Sequence, residues 1–162
     1  QGNWQVLERL GVSGSSVALG APGLASSVMD SGHLEKAPWI EYHFDSVSQG
    51  DATLTVHMLP VFPVDSEHRL RFAVALDGGP AKVLDLSGTG EWKEGSAPTW
   101  EANVLRNDAR LNLSLGKLQP GRHMLRLFYV DPGLVFQHIT IAFVGAPASY
   151  PVPPETRCGD TR

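Results

Sequence analysis

The sequence predicts an all-β domain, a two-sheet antiparallel β-sandwich of jelly-roll type, on three observations. Seventeen glycines and twelve prolines break the 162 residues at short intervals. Between the breaks lie runs in which apolar and polar residues alternate, the period of a half-buried strand. No stretch of about eleven residues free of proline and glycine carries a helical stripe, so the crossover helices that a parallel sheet needs are missing. About eight to ten strands are expected, arranged as two packed sheets.

The strands justify themselves in order. In Trp39-Ile40-Glu41-Tyr42-His43-Phe44 the even positions face a core while Glu41 and His43 face out. Leu54, Val56 and Met58 repeat the pattern against Thr53, Thr55 and His57. Leu70, Phe72, Val74 and Leu76 do so against Arg69 and Arg71, and Asp77-Gly78-Gly79-Pro80 ends that run with turn residues. Residues 82–86 read as a short strand, and residues 109–115 as another with Leu111, Leu113 and Leu115 in register. Gln119-Pro120-Gly121 turns the chain into residues 122–130, and Asp131-Pro132-Gly133 turns it again into residues 134–144. The core is expected to hold Ile40, Tyr42, Phe44, Leu54, Val56, Phe72, Val74, Leu125, Leu127, Ile139 and Ile141, with Trp4 and Trp39 on apolar segments beside them. Residues 20–36 read as a long surface loop, residues 1–145 as one sandwich domain and residues 146–162 as a proline-rich tail.

Composition narrows the function. A formal charge of -4 supplies no basic field to neutralise phosphates, which argues against nucleic acid. No apolar run approaches the roughly 20 residues that span a bilayer, so no membrane partner is expected. The single cysteine, Cys158, sits in the polar tail and offers neither an internal disulfide nor a zinc site.

Few residues carry a chemical signature. Gly11-Val12-Ser13-Gly14-Ser15 lacks the spacing and the strand-to-helix context of a nucleophile elbow. Seventeen acidic residues could include a glycosidase pair, but such a pair is defined by separation in space. His33, His43, His57, His68, His123 and His138 are scattered without metal-ligand spacing; His123 reads as hydrogen-bonded structure and the others as surface. The aromatics say more, because a sugar ring stacks its C–H face on an indole while its hydroxyls seek polar groups at the edge. Trp92 and Trp100 fall in the loop-rich residues 88–107 with Glu91, Glu101, Asn103 and Asn107. A sugar site at the loop end carrying Trp92, Trp100, Asn103 and Asp131 is the candidate; the competing reading has Trp100 begin a strand and plug the sandwich.

A series of blocks then takes on a family likeness: Leu10-Gly11-Val12-Ser13-Gly14-Ser15-Ser16-Val17, Ala37-Pro38-Trp39-Ile40-Glu41-Tyr42, Leu59-Pro60 and Arg71-Phe72-Ala73-Val74-Ala75-Leu76-Asp77. Trp100 with Val104, Gly121-Arg122-His123-Met124-Leu125-Arg126, Tyr129-Val130-Asp131-Pro132-Gly133-Leu134-Val135, and Tyr150 with Pro153-Pro154-Glu155 continue it. In this order they resemble the C-terminal accessory domain of glycoside hydrolase family 115, the xylan α-1,2-glucuronidases, over nearly the whole chain; residues 20–36 and 87–99 match poorly. The resemblance implies a non-catalytic module of a microbial, secreted or periplasmic enzyme, with catalytic residues in other domains. It implies two partners, polysaccharide (xylan or glucuronoxylan) and the catalytic domains of the parent enzyme. The alternative is a structural domain that packs on those domains or on a dimer partner without binding sugar; an independent hydrolase lacks a motif. The same blocks look distantly like jelly-roll carbohydrate-binding modules, which often hold a structural calcium. Gln137 stands where those modules often have an aspartate, so although Glu8 is available the expectation is no cofactor and no metal site.

Overall fold

The computed structural model describes residues 2–12, 14–19, 34–66, 68–87 and 98–146. Most of the expected loop (20–33) and of the expected tail (147–162) lies outside the described residues. The strands are β1 (Trp4–Glu8), β2 (Ser15–Leu19), β3 (Trp39–Ser46), β4 (Gly50–Met58), β5 (Arg71–Leu76), β6 (Lys82–Asp85), β7 (Ala109–Leu118), β8 (Gly121–Tyr129) and β9 (Val135–Phe143). They form a five-stranded sheet in the order β1-β2-β9-β4-β7 and a four-stranded sheet in the order β3-β8-β5-β6, and the pairings are antiparallel. This is the two-sheet sandwich that the alternation predicts.

The inner faces meet in a core of Leu54, Val56 and Met58 from β4, Phe72 and Val74 from β5, Leu125, Leu127 and Tyr129 from β8, and Phe136 from β9. Along β4 the buried residues alternate with Thr53, Thr55 and His57, which face out. Five of the eleven expected core residues are only half-buried: Ile40, Tyr42, Phe44, Ile139 and Ile141 pack against the core without being enclosed. Their strands explain it. β3 is an edge strand, and β9 loses its β2 neighbour after Phe136, since β2 pairs only through Val17 and Ala18. Trp4 closes the core edge-on to Tyr129 with ring centroids 5.8 Å apart, whereas Trp39 joins a second cluster with Ala73, Phe128 and Val130 on the other face of the four-stranded sheet.

The β5–β6 hairpin turns on Asp77 and Gly78 at φ 51 and 72, with Gly79 N–H donating to Leu76 O at 2.9 Å. Two successive positive φ values make this the mirror-image turn that matches strand twist and favours Asp-Gly. On β7 the register against β4 slips, from Ala52 opposite Gly116 to Thr53 opposite Ser114, so Leu115 is the extra residue of a bulge on an edge strand.

Residues 98–106 depart from the loop-rich reading. Pro98–Arg106 is a helix, α1, and Trp100 stands in its first turn instead of beginning a strand. Pro98 fits the first helical position, where its missing N–H costs nothing. At the other end Asn107 is left-handed at φ 52, its N–H reaching Val104 O at 3.0 Å and the Asp108 N–H reaching Asn103 O at 3.0 Å. Those paired bonds are a complete C-terminal cap with asparagine in the usual glycine position.

Candidate functional site

The connections are unequal at the two ends of the sandwich. β4 ends at Met58, opposite Ala109 at the start of β7 and Phe136 near the start of β9, and β8 ends at Tyr129, opposite Phe72 near the start of β5. The connections that follow β2, β4, β6 and β8, the longest among them, therefore start and finish at that end, and the turns after β3, β5 and β7 close the other.

At the loop end the 59–70 connection brings Phe62 onto α1. The Phe62 and Trp100 rings stack with centroids 4.9 Å apart and 28° between planes, and Phe62 stays 42% exposed. The Trp100 indole Nε1 is buried and has no hydrogen-bond partner among the described residues. One helical step on, Asn103 is buried and accepts from the exposed Arg106 guanidinium at 2.8 Å. Trp100, Asn103 and Arg106 are thus successive i,i+3 neighbours along α1. The 130–134 connection packs beside the same loop, because a Cβ on Gly133 would stand 3.1 Å from Val64. Phe62 and Val64 were not among the sequence candidates; the signal was there in Pro60-Val61-Phe62-Pro63, apolar residues between prolines outside any strand rhythm. Trp92 lies outside the described residues.

Asp131 is at this end but turned inward. It is fully buried, and its carboxylate accepts from Arg71 three times: from the backbone N–H at 3.0 Å, from Nε at 2.6 Å and from a terminal nitrogen at 2.9 Å. The hydrogen bonds that the guanidinium donates to Asp131 raise the Arg71 pKa against the opposing effect of burial. Both carboxylate oxygens are committed to tying the β8–β9 turn to β5, which gives Asp131 a role in the scaffold rather than on the surface. Tyr129 helps, its hydroxyl accepting from Gly133 N–H at 2.7 Å.

The buried polar residues among those described are Ser16, Asn103, Asp108, Asp131 and Gln137; Asn103 bonds within α1, and the other four fasten connections to the strands. Gln137 has the widest reach. Its Oε1 accepts from Val12 N–H at 2.7 Å, and its Nε2 donates to Met58 O at 3.0 Å and to Asn107 O at 2.9 Å. A calcium ion requires six or more oxygen ligands. Here an N–H2 group faces the two carbonyls, and turning the amide over would set it against the Val12 N–H. Glu8 is exposed on β1. These residues do not fit calcium, and no group of three or more His, Cys, Asp and Glu among the described residues could hold a metal ion.

Two histidines read as surface are partly covered on it. His57 and His138, paired across β4 and β9 on the outer face, stack with centroids 4.0 Å apart, and His57 Nδ1 lies 3.0 Å from the Asp108 carboxylate. Asp108 in turn pairs with Arg110 at 3.0 Å. The single alternation that placed His57 outward could not reveal that a neighbouring histidine and a carboxylate would cover it.

Residues 1–155 match the family model of the glycosyl hydrolase family 115 C-terminal domain. A family GH115 4-O-methyl-α-glucuronidase with specificity for decorated arabinogalactans, BtGH115A, superposes with a TM-score of 0.68 at 23% identity, over 90% of this chain and 16% of that one. A family 35 carbohydrate binding module from Clostridium thermocellum superposes at 0.53 with 13% identity, over 87% of this chain and 88% of the module. A family 35 module of Abf62 from Cellvibrio japonicus does so at 0.53 with 10% identity, over 88% and 84%. At these identities the likeness is one of fold. No curated protein matches the sequence.

Proposed function

Because the chain belongs to the glycosyl hydrolase family 115 C-terminal domain family, it is a non-catalytic accessory domain, and we propose that it binds plant cell-wall polysaccharide, xylan or glucuronoxylan, for the catalytic domains of a larger enzyme. The observation that carries this reading is the stacked Phe62–Trp100 pair at the end where the long connections gather. An exposed ring against a half-buried indole offers an apolar face for a sugar, and Trp92, from the same connection as α1, belongs to the proposed site. Asn103 holds the Arg106 guanidinium on the same helix, and a guanidinium is suited to the carboxylate of a uronic acid. Polysaccharide substrates do not enter cells, so the reading carries a secreted or periplasmic setting in a microbial host. No helix among the described residues is long and apolar enough to cross a membrane.

The test is calorimetric titration of glucuronoxylan fragments, unsubstituted xylan fragments and arabinogalactan fragments into the wild type, Phe62→Ala, Trp92→Ala, Trp100→Ala and Arg106→Gln, with melting curves alongside. One stacked ring contributes about 1 kcal/mol, so wild-type affinity is expected in the millimolar to high-micromolar range and each aromatic truncation should weaken it about fivefold. Arg106→Gln should weaken only the uronate-bearing fragments. Tighter binding of arabinogalactan would move the ligand to that class, and no binding of any glycan would leave the second reading. That reading, a structural domain docked on the catalytic domains or a dimer partner, is favoured by Leu105 and Val104 on α1, which are 87% and 41% exposed.

A further inference from the structure

We propose that the Gln137 amide stands in for a structural cation, fastening the loop end without a divalent metal. Gln137 sits where the β4–β9 register slips: His57 pairs with His138 and Met58 with Phe136, which leaves Gln137 as the extra residue of a bulge. A bulge takes its residue out of the ladder and re-aims the side chain. Two backbone carbonyls then converge on that side chain, Met58 O from the end of β4 and Asn107 O from the cap of α1. Two carbonyl oxygens directed at one point, one buried and one partly so, need a positive charge or a pair of donors between them.

The amide provides both donors from one nitrogen, and it has an acceptor left for the third segment, the Val12 N–H of the β1–β2 turn. The turn is shaped to admit it. Gly11 is at φ 89, and a Cβ there would stand 2.7 Å from Gln137 Oε1 and 2.7 Å from Ser16 Oγ. Ser16 itself is buried and ties back to Leu10 O at 2.9 Å, so the turn is closed around the amide. A cation would hold the same carbonyls through its charge but would tie the fold to the metal supply. The neutral amide makes the cross-link part of the chain. Through Asn107 it also fixes the end of α1, the helix that carries Trp100, which makes Gln137 a positioning residue for the loop end.

The experiment is thermal melting of the wild type, Gln137→Met and Gln137→Glu, each in excess EDTA and in millimolar calcium. The wild type should melt at the same temperature in both; a rise with calcium would overturn the proposal. Gln137→Met keeps the volume and loses the hydrogen bonds, and should melt about 5 °C lower with no response to calcium. Gln137→Glu puts a carboxylate against the two carbonyls, so it should melt lower still in EDTA and recover part of the loss in calcium. Recovery confined to the glutamate variant supports an amide that occupies a cation position. A glutamate variant as stable as the wild type in EDTA, or one whose loss calcium leaves untouched, overturns it.

Discussion

Removing the Asp131 carboxylate separates a scaffold role from a ligand-facing one. In Asp131→Ala three Arg71 donors lose their acceptor, the backbone N–H, Nε and a terminal nitrogen at 3.0, 2.6 and 2.9 Å. Breaking a fully buried ion pair from one side costs about 3–5 kcal/mol. The Arg71 side chain is 28% exposed while Asp131 is 0% exposed, so water recovers part of the guanidinium's solvation and the cost falls to roughly 2–4 kcal/mol. At about 2–4 °C per kcal/mol for a chain of this length, the melting temperature should drop by roughly 5–15 °C. The double variant Arg71→Leu with Asp131→Leu should lose less than Asp131→Ala, because no charge is left unpaired. Calorimetric melting of the three proteins checks both statements. If Asp131→Ala melts within about 2 °C of the wild type yet binds glycan more weakly, the scaffold assignment is refuted and the carboxylate serves a ligand.

Other perturbations have definite outcomes. Phe72→Ala should cost about 3–5 kcal/mol in chemical denaturation, because Phe72 is fully enclosed between the sheets; a loss under about 1 kcal/mol would contradict that burial. Asn107→Val places a β-branched residue at a left-handed cap and should cost about 1–2 kcal/mol, whereas Asn107→Gly should be nearly neutral. At the opposite end the Gln119 carbonyl, and then the Asp77 carboxylate, raise the His123 pKa above the ordinary imidazole value. Burial pushes Asp77 up, but the His123 ring and the Met124 N–H outweigh it and hold the pKa below the ordinary value. The stabilisation linked to His123 is complete below about pH 6.5 and lost as pH rises through its raised pKa; that linked to Asp77 is complete above about pH 4 and lost as pH falls through its lowered one. The stability difference between wild type and His123→Gln should thus peak between those values, and a difference independent of pH from acid to alkaline would contradict the pairing.

The sandwich was legible because β4 writes its burial into a two-residue period, and Asp77-Gly78 marks the β5–β6 hairpin without ambiguity. The depth of burial was not. Ile40 and Ile141 carry the same pattern as Leu54, and only the sheet order reveals that β3 is an edge and that β9 loses a neighbour. α1 escaped because its nine residues are too few to establish a helical period and follow a glycine-rich segment. At the loop end Trp100 was legible as an aromatic near turns, but its stacking partner Phe62 lies 38 positions earlier in sequence numbering, and the Arg71–Asp131 pair spans 60. Composition and local pattern carry no information at such separations; side-chain partnerships of this kind are properties of the closed topology.

The bulge at Leu115 has a consequence for behaviour at high concentration. β7 is a ten-residue edge strand, long enough to template sheet extension between molecules and so a standing aggregation hazard. The register slip interrupts that template within the strand, and Lys117 follows on the exposed edge, where a second copy would have to bury its charge. Deleting Leu115 would straighten the edge into a continuous donor–acceptor row. The domain would then trade a soluble rim for one able to recruit its own copies.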